Sequence, residues 1–357
     1  APPRGFRGRW GSTVERPAIT PGGSRAEPTA PAPLVAGDRC QVFWEDEKEY
    51  FAGTVTSADG ETVSILYDDG DEGEEPVEDV IRIEVDQTGD DDEKGAINLI
   101  TPQKSAAAAA LVRTGRKVSA SRVFEPEQHF MRKSPRPGGA GAVVDYYGFI
   151  YHGQTITHID ALCHMWDSDG MWQGRDPDVE ITTQGASFGT IDAWSEGIVT
   201  RGVLIDVPRH RGEPYVTPDR PVQGWEIEEI ASAQGVAVEP GDALLVYSGK
   251  DAFVRAGGDY GGGDRPGLNV TCAKFIRDHD VSLLGWDMMD ARPDPYGLAF
   301  PMHGVLFNYG VALLDNALLE PLADACAEEG RHEFMFMALP LNVARGTGSP
   351  ANPIAMF

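Results

Sequence analysis

Short apolar runs alternate with helical segments over the second half of the chain, and this alternation limits the folds available to it. Five runs have the length and composition of buried strands: GVLIDV (202–207), ALLVYS (243–248), SLLGWD (282–287), VALLD (311–315) and EFMFMAL (333–339). Helices are expected near Trp225–Gln234, Thr271–Asp278 and Leu318–Glu329. Strands that alternate with helices in this way indicate an α/β domain.

The same pattern begins soon after the acidic stretch DDDEKGAINLIT (90–101). Thr101 can cap a helix that has Pro102 at its first position, and the following alanines carry this helix towards Gly115. The sequence therefore predicts one large α/β domain over residues 89–357.

Four short β-type runs precede that domain: RCQVFW (39–44), YFAGTV (50–55), TVSILY (62–67) and VIRIEV (80–85). Polar or glycine-containing turns separate them, so we expect a small antiparallel barrel over residues 37–88. Residues 1–36 are rich in Pro, Gly and Ala. They are interpreted as a linker or, because five arginines and few acids lie among them, as the remnant of a targeting peptide.

The net charge of −26 argues against a protein that binds nucleic acid through a basic surface. The acidity is concentrated between Asp38 and Lys94, where 21 acidic and 4 basic residues give 21 − 4, a net charge of −17. No apolar run approaches the ~18 residues that a membrane span needs. The four cysteines are scattered, which is typical of reduced thiols. We expect an intracellular protein, most simply cytoplasmic, with organelle targeting left open.

The stretch HGQTITHIDALCH (152–164) holds three of the eight histidines. If residues 150–160 are extended, His152, Gln154, His158 and Asp160 lie on one face. His158 and Asp160 are then placed to bind one divalent ion, and the two oxygens of Asp160 can bridge two ions. His164 follows four residues after Asp160. The alternative is a polar, exposed strand without a metal.

Two distant residues can complete such a site. His303 lies in FPMHGVLFNYG, whose Pro and Gly disfavour a regular element, and Asp315 ends the run VALLD. Acidic residues at the ends of buried strands of α/β sheets often contribute to binding sites. Alternatively, His303 is a surface histidine and Asp315 caps the next helix.

THIDALCH resembles the signature H-x-x-x-H-x-D-x-x-x-H of the cyclase-type metal hydrolases, which include bacterial kynurenine formamidase and isatin hydrolase. IVTRGVLIDV, GVAVEPGDALLVYSG, HGVLFNYGVALLDN and PLNVARGTGSPANPIA also resemble this family, so the resemblance extends from GAINLITP to the C-terminus. It implies a cyclase-like α/β hydrolase domain of the swivelling β/β/α type.

The resemblance also implies roles for individual residues. His158, Asp160, His303 and Asp315 correspond to the metal ligands, and His164 to the general acid/base. The implied reaction is hydrolysis of an amide, imide or lactone of a small cyclic or aromatic substrate by a metal-bound hydroxide. Zinc or manganese fits a mixed nitrogen and oxygen ligand set. A homodimer or tetramer is implied by analogy.

Gln154 is the important departure, because the formamidases have their first histidine ligand at this position. Its amide oxygen is a weaker ligand for zinc than imidazole, so Gln154 is retained only as an uncertain ligand and one firmly held ion is expected, although two are implied. His152 can take its place only if the strand shifts or bulges.

Several polar and aromatic side chains near these motifs can line a substrate pocket. The pocket candidates are His152, Trp166, Trp172 and Phe188. The late segment GTGSPANPIA (346–355) is too rich in Gly and Pro for a helix or a central strand, and the resemblance implies that it is an ordered loop near the site, with Asn342 and Asn352 as polar contacts. The aromatic residues can equally belong to the core.

The predicted barrel resembles Tudor or SH3-like barrels. In the former, an aromatic cage holds a methylated Lys or Arg by cation–π attraction. The matching residues are Trp44, Tyr50, Phe51 and Tyr67, with Asp69 as an acidic rim. Alternatively, these aromatics fill a small core. A rival to the hydrolase is therefore a metal-poor pseudoenzyme or binding protein whose barrel binds a basic or methylated peptide.

Overall fold

The computed structural model describes residues 39–44, 49–60, 62–67, 72–77, 80–82, 92–261, 263–298 and 300–357. The chain separates into two compact units, Ala1–Gly89 and Asp90–Phe357. The domain limits inferred from the sequence stay a prediction.

The smaller unit contains a five-stranded antiparallel sheet in the order β4-β3-β2-β1-β5. Its strands are β1 (Arg39–Trp44), β2 (Glu49–Ala58), β3 (Thr62–Tyr67), β4 (Glu72–Pro76) and β5 (Val80–Arg82). Val42, Val55, Val63 and Ile65 are buried. Strand β4, of sequence EGEEP, is additional to the four predicted strands, because its acidic composition hides it from a hydrophobic pattern.

The larger unit is an α/β structure around a nine-stranded mixed sheet. Its strands and those of the short hairpins beside it are β6 (Lys117–Ser119), β7 (Gln128–Pro135), β8 (Gly141–Gly148), β9 (His158–Asp160), β10 (Ile181–Thr182), β11 (Gly185–Ala186), β12 (Ile198–Asp206), β13 (Ala243–Tyr247), β14 (Leu283–Trp286), β15 (Ala312–Asp315), β16 (Glu333–Ala338), β17 (Gly348–Pro350) and β18 (Ile354–Met356). Its helices are α1 (Pro102–Ala110), α2 (Pro177–Glu180), α3 (Val207–Arg211), α4 (Gly224–Gln234), α5 (Lys250–Arg255), α6 (Thr271–Asp278), α7 (Gly304–Tyr309) and α8 (Glu320–Glu329).

The large sheet has the order β17-β9-β15-β14-β13-β12-β16-β18-β6. Strands β12 to β15 are mutually parallel, and helices connect them. Every residue of β13, β14 and β15 is buried, as expected for parallel strands covered on both faces. Antiparallel strands β9 and β17 extend the sheet beyond β15. The predicted α/β class is confirmed.

Helix α1 begins as predicted and follows the alanine run as far as Ala110. The side chain of Thr101 accepts a hydrogen bond from the Lys104 N–H, and Pro102 is the first helical residue. Beyond the helix, the backbone N–H groups of Thr114 and Gly115 donate to the carbonyl of Phe357.

The Gly- and Pro-rich segment 346–355 is not wholly a loop. Gly348–Pro350 forms the edge strand β17, where a proline is tolerated. However, Ile354–Met356 lies between β16 and β6 inside the sheet, so the expectation of no central strand is wrong there. These residues follow the last proline and have free backbone N–H groups, so they can pair on both sides.

The described cysteines Cys163, Cys272 and Cys326 are free and buried. Within the described ranges, no helix combines the length and the apolar content that crossing a membrane requires.

Candidate metal centre

The centre lies at one end of strands β9 and β15. Asp315, the last residue of β15, is the register partner of His158, the first residue of β9. His158, Asp160 and Asp315 are each at most 3% exposed. Because β9 alternates its side chains, His158 and Asp160 lie on the same face, as the HxD spacing predicts.

His303 joins these residues from the start of helix α7, where it is 5% exposed. Its Nε2 lies 3.5 Å from Asp315 Oδ2. Asp160, His303 and Asp315 each offer one ligand atom, and these three atoms lie within 4.8 Å of one another. The same is true of one ligand atom each from His152, His158 and Asp160. The alternatives of a surface histidine and an exposed strand are therefore wrong, because these side chains are buried together.

The expected extended strand over residues 150–160 is wrong for most of its length. Only His158–Asp160 forms a strand, and residues 152–156 form a bend that contains Gly153 at φ 138°. Regular pairing stops at His158, because its partners are Asp315, where β15 ends, and Pro350, which has no N–H.

The bend changes the positions of His152 and Gln154. His152 Nδ1 lies 2.8 Å from Asp160 Oδ1, so His152 contacts the centre, which the sequence allowed only if the strand shifts or bulges. Gln154 is exposed, and its backbone carbonyl accepts a hydrogen bond from Lys250 Nζ at 3.2 Å.

Hydrogen bonds to the far ring nitrogens orient two of the imidazoles. His158 Nδ1 lies 2.8 Å from the carbonyl of Ile156, so its Nε2 faces Asp160 Oδ1 at 3.4 Å. His303 Nδ1 lies 2.6 Å from Asp290 Oδ2, so its Nε2 faces Asp315. Protein histidines that bind metals are typically held in this way by a carbonyl or carboxylate.

The charges of the centre suit a cation. Burial alone would lower the pKa of His158, but the Asp160 and Asp315 carboxylates outweigh it and raise the pKa to about 9. Burial likewise opposes the effect of Asp290 and Asp315 on His303, whose pKa is nevertheless held well above its usual value. In the absence of a metal these carboxylates therefore favour protons on the imidazoles, and a divalent ion can replace those protons.

Asp160 provides the test of whether a metal fits. Burial would raise its pKa, but His164 and His158 hold it well below the usual range, so the group is a carboxylate. Both carboxylate oxygens are buried; Oδ1 faces the imidazoles of His152 and His158, whereas Oδ2 makes no hydrogen bond within the described part of the chain. An unpaired buried carboxylate oxygen is costly, and a cation at this position would satisfy it. The residues present therefore fit a divalent metal.

His164 lies beside this ligand set. Its Nε2 is 3.8 Å from Asp160 Oδ1, and its ring stacks on that of His152 with 3.8 Å between the centroids. Burial lowers the pKa of His164 to about 4 and outweighs the nearby Asp160 carboxylate. His164 is thus neutral at pH 7, with about a fifth of its side chain exposed to solvent.

The other proposed contact residues have diverse environments. Trp172 and Phe188 are buried in the hydrophobic core, the alternative that the sequence left open, whereas Trp166 is about half exposed. Asn342 is exposed, and Asn352 accepts a hydrogen bond from Ser119 Oγ at 2.6 Å. The side chains of the predicted aromatic cage, Trp44, Tyr50, Phe51 and Tyr67, and all of Asp69 lie outside the described residues.

Four supporting residues were not found from the sequence. Trp286 Nε1 donates to Asp315 Oδ1, Asp290 orients His303, and Thr347 Oγ1 lies 3.1 Å from His152 Nε2. Lys250 is 7% exposed and reaches the bend. Asp290 could have been found from the sequence, because it is an acidic residue shortly after a buried strand, β14, just as Asp315 is the last residue of β15. The sequence around Trp286, Thr347 and Lys250 gave no such signal.

Comparison with known proteins places the chain in a family. A family model described as putative cyclase matches residues 98–292, which is more than half of the chain. The kynurenine formamidase of a Bacillus cereus strain is 24% identical in an alignment of 199 residues, and the match covers 51% of this chain and 89% of that protein.

Solved structures resemble the chain too. A crystal structure of a novel cyclase superposes with a TM-score of 0.66 at 27% identity, covering 75% of this chain and 97% of that one. Isatin hydrolase A from Ralstonia solanacearum has a TM-score of 0.49 at 17% identity and covers 71% and 97%. On the strength of the family match, which lies on the unit that carries the buried histidines and aspartates, the chain belongs to the putative cyclase family.

Proposed function

We propose that the larger unit is a metal-dependent hydrolase that cleaves an amide, imide or lactone bond of a small cyclic or aromatic substrate. One observation carries the proposal: two ligand triplets share the fully buried Asp160, whose Oδ2 has no hydrogen-bond partner among the described residues. The similarity to a kynurenine formamidase supports the choice of an amide-type bond. Zinc or manganese suits the ligand set, and a homodimer or tetramer is expected.

A divalent ion bound here would lower the pKa of a water molecule and polarise a substrate carbonyl. The protein holds the ligands ready for it. The Nδ1 atoms of His158 and His303 are hydrogen-bonded to protein oxygens, so their Nε2 atoms face the centre. The indole N–H of Trp286 donates to Asp315 and holds its carboxylate in place. This preorganisation keeps the centre from having to rearrange during the reaction.

His164 is the proposed general acid/base. It is neutral at pH 7 and adjacent to Asp160, so its Nε2 can accept a proton from the attacking water. It can then donate that proton to the leaving nitrogen or oxygen. Its partial exposure gives the proton a route to solvent.

The proposal is tested with metal-loaded, full-length protein and a panel of aryl formamides, cyclic imides and aryl lactones. Asp160→Asn removes the shared carboxylate charge with little change of shape, and we expect it to abolish both metal binding and hydrolysis. Asp278→Asn makes the same chemical change on the surface and serves as the control. A wild-type protein that binds no divalent metal and hydrolyses no member of the panel would refute the proposal.

We also propose that the smaller unit is an SH3- or Tudor-like module that binds a basic or methylated peptide. The support is its five-stranded antiparallel order and the acidity of the sequence around it. Titration with trimethyl-lysine peptides and unmodified controls tests it. Binding that disappears in Trp44→Ala supports an aromatic cage, and equal binding by wild type and variant contradicts it.

A further inference from the structure

His152 occupies a position in the centre that its spacing does not predict. A fully extended segment would separate the Cα atoms of His152 and Asp160 by about 26 Å, at roughly 3.3 Å per residue. The bend instead brings His152 Nδ1 to 2.8 Å from Asp160 Oδ1. We propose that His152, and not Gln154, supplies the second imidazole of a metal position formed with His158 and Asp160. This inference rests on the proposed function in one respect, that the protein binds a divalent metal.

The surroundings of the His152 ring are those of a ligand. Its Nε2 lies 3.1 Å from Thr347 Oγ1, a hydrogen bond that leaves the lone pair of Nδ1 for the centre when Nε2 carries the proton. Nδ1 itself is buried and faces Asp160 Oδ1 at 2.8 Å. Without a metal this is the distance of an ion pair that shares a proton, and a divalent ion held by His158 and Asp160 would take the place of that proton.

Contacts on both sides hold the bend in place. The buried ammonium of Lys250 donates to the Gln154 carbonyl at 3.2 Å and to Asn316 Oδ1 at 2.5 Å, and Asn316 directly follows Asp315. Tyr151 Oη, next to His152, donates to the Gly348 carbonyl at 2.8 Å. The position of His152 is therefore fixed relative to both ends of the ligand set.

The same contacts argue against Gln154 as a ligand. Its backbone is tied to Lys250 while its side chain is exposed to solvent. Its Oε1 lies 3.9 Å from the position that a Cβ on Gly261 would occupy, on a loop outside the ligand set. The imidazole that the formamidases have at the position of Gln154 would thus be supplied here from position 152.

Two ligand sets result, and both contain Asp160. One consists of His152, His158 and Asp160, and the other of Asp160, His303 and Asp315. Because His152 stacks on His164, its coordination would also set the position of the proposed general acid/base. The departure at Gln154 then leaves the number of imidazole ligands unchanged.

Metal binding tests the assignment without reference to activity. Zinc and manganese are titrated into metal-free wild type, His152→Ala and Gln154→Ala by calorimetry, and bound metal is counted by elemental analysis. We expect His152→Ala to lose one equivalent or to bind it at least about tenfold more weakly. Gln154→Ala should match wild type. Unchanged binding in His152→Ala, or the loss in Gln154→Ala, overturns the inference.

Two further variants guard against a folding defect, which circular dichroism would reveal. Thr347→Val removes the hydroxyl that orients His152 and should weaken binding by about 10–100-fold. His152→Gln keeps a polar side chain of similar length and should behave as His152→Ala does. Cobalt(II) absorption gives a second readout, since losing a nitrogen ligand alters the visible bands. If wild type binds no metal, the proposed function fails together with the inference. If wild type binds metal and His152→Ala, His152→Gln and Thr347→Val all bind it equally well, only the inference fails.

Discussion

The imidazole of His303 and the carboxylate of Asp290 form a buried pair, with 2.6 Å between Nδ1 and Oδ2. Oδ1 of Asp290 accepts from the backbone N–H of Met302 at 2.7 Å, which fixes the carboxylate in turn. His303 is thereby turned so that Nε2 faces Asp315. Asp290 acts on the centre through His303 and is a positioning residue.

Replacing Asp290 with Asn should weaken metal binding by about 10–100-fold, because the imidazole loses a charged partner. Competition against a zinc-binding dye measures the change. The exposed Asp278→Asn is the matched control and should bind metal as wild type does. Equal affinities for Asp290→Asn and wild type would show that the pair is only structural.

Metal should also stabilise the fold, because the ligands come from segments that are far apart in the sequence. At a free metal concentration 100 times Kd, the free energy of unfolding should rise by about 2.7 kcal/mol. Thermal unfolding with and without a chelator measures this. Asp160→Asn should unfold at the same temperature in both conditions, and a metal-dependent shift in that variant would place the ion elsewhere.

Replacing His164 with Ala should lower kcat by about 10²–10⁴-fold, the usual contribution of a general acid/base. Metal content should be retained, because His164 is not one of the proposed ligands. His210, which lies near Glu229 outside the centre, gives the control His210→Ala with wild-type kcat. A His164→Ala protein that has lost its metal would instead identify His164 as a ligand.

The buried Arg211–Glu226 ion pair should make stability depend on pH. Burial would raise the pKa of Glu226, but the Arg211 guanidinium lowers it below the usual value. The contribution of this pair is therefore present above the ordinary glutamate pKa of about 4.3 and is lost as the pH falls through the lower folded value.

Glu226→Gln should reduce the free energy of unfolding at pH 7 by about 3–5 kcal/mol, because it leaves Arg211 buried without a charged partner. Urea unfolding at several pH values should show this difference shrinking as the pH falls below about 4. Glu229→Gln alters an exposed side chain of the same helix and should have little effect. A difference that does not depend on pH would contradict the role of charge.

The α/β sheet could be predicted from the sequence because its central strands are short, uniformly apolar and separated by recognisable helices. Strand β4 and the internal strand β18 could not, since one is acidic and the other follows a Gly- and Pro-rich segment. Their pairing depends on neighbouring strands, which a local pattern does not contain.

The sequence by itself determined that His158 and Asp160 share a face, because side chains alternate along any strand. It also nominated His303 and Asp315, but only strand pairing and the burial of α7 brought them to Asp160. Tertiary structure alone decided the place of His152. The bend depends on Lys250 and Gly348, which lie about 100 and 200 residues away, and such long-range hydrogen bonds leave no trace in local spacing.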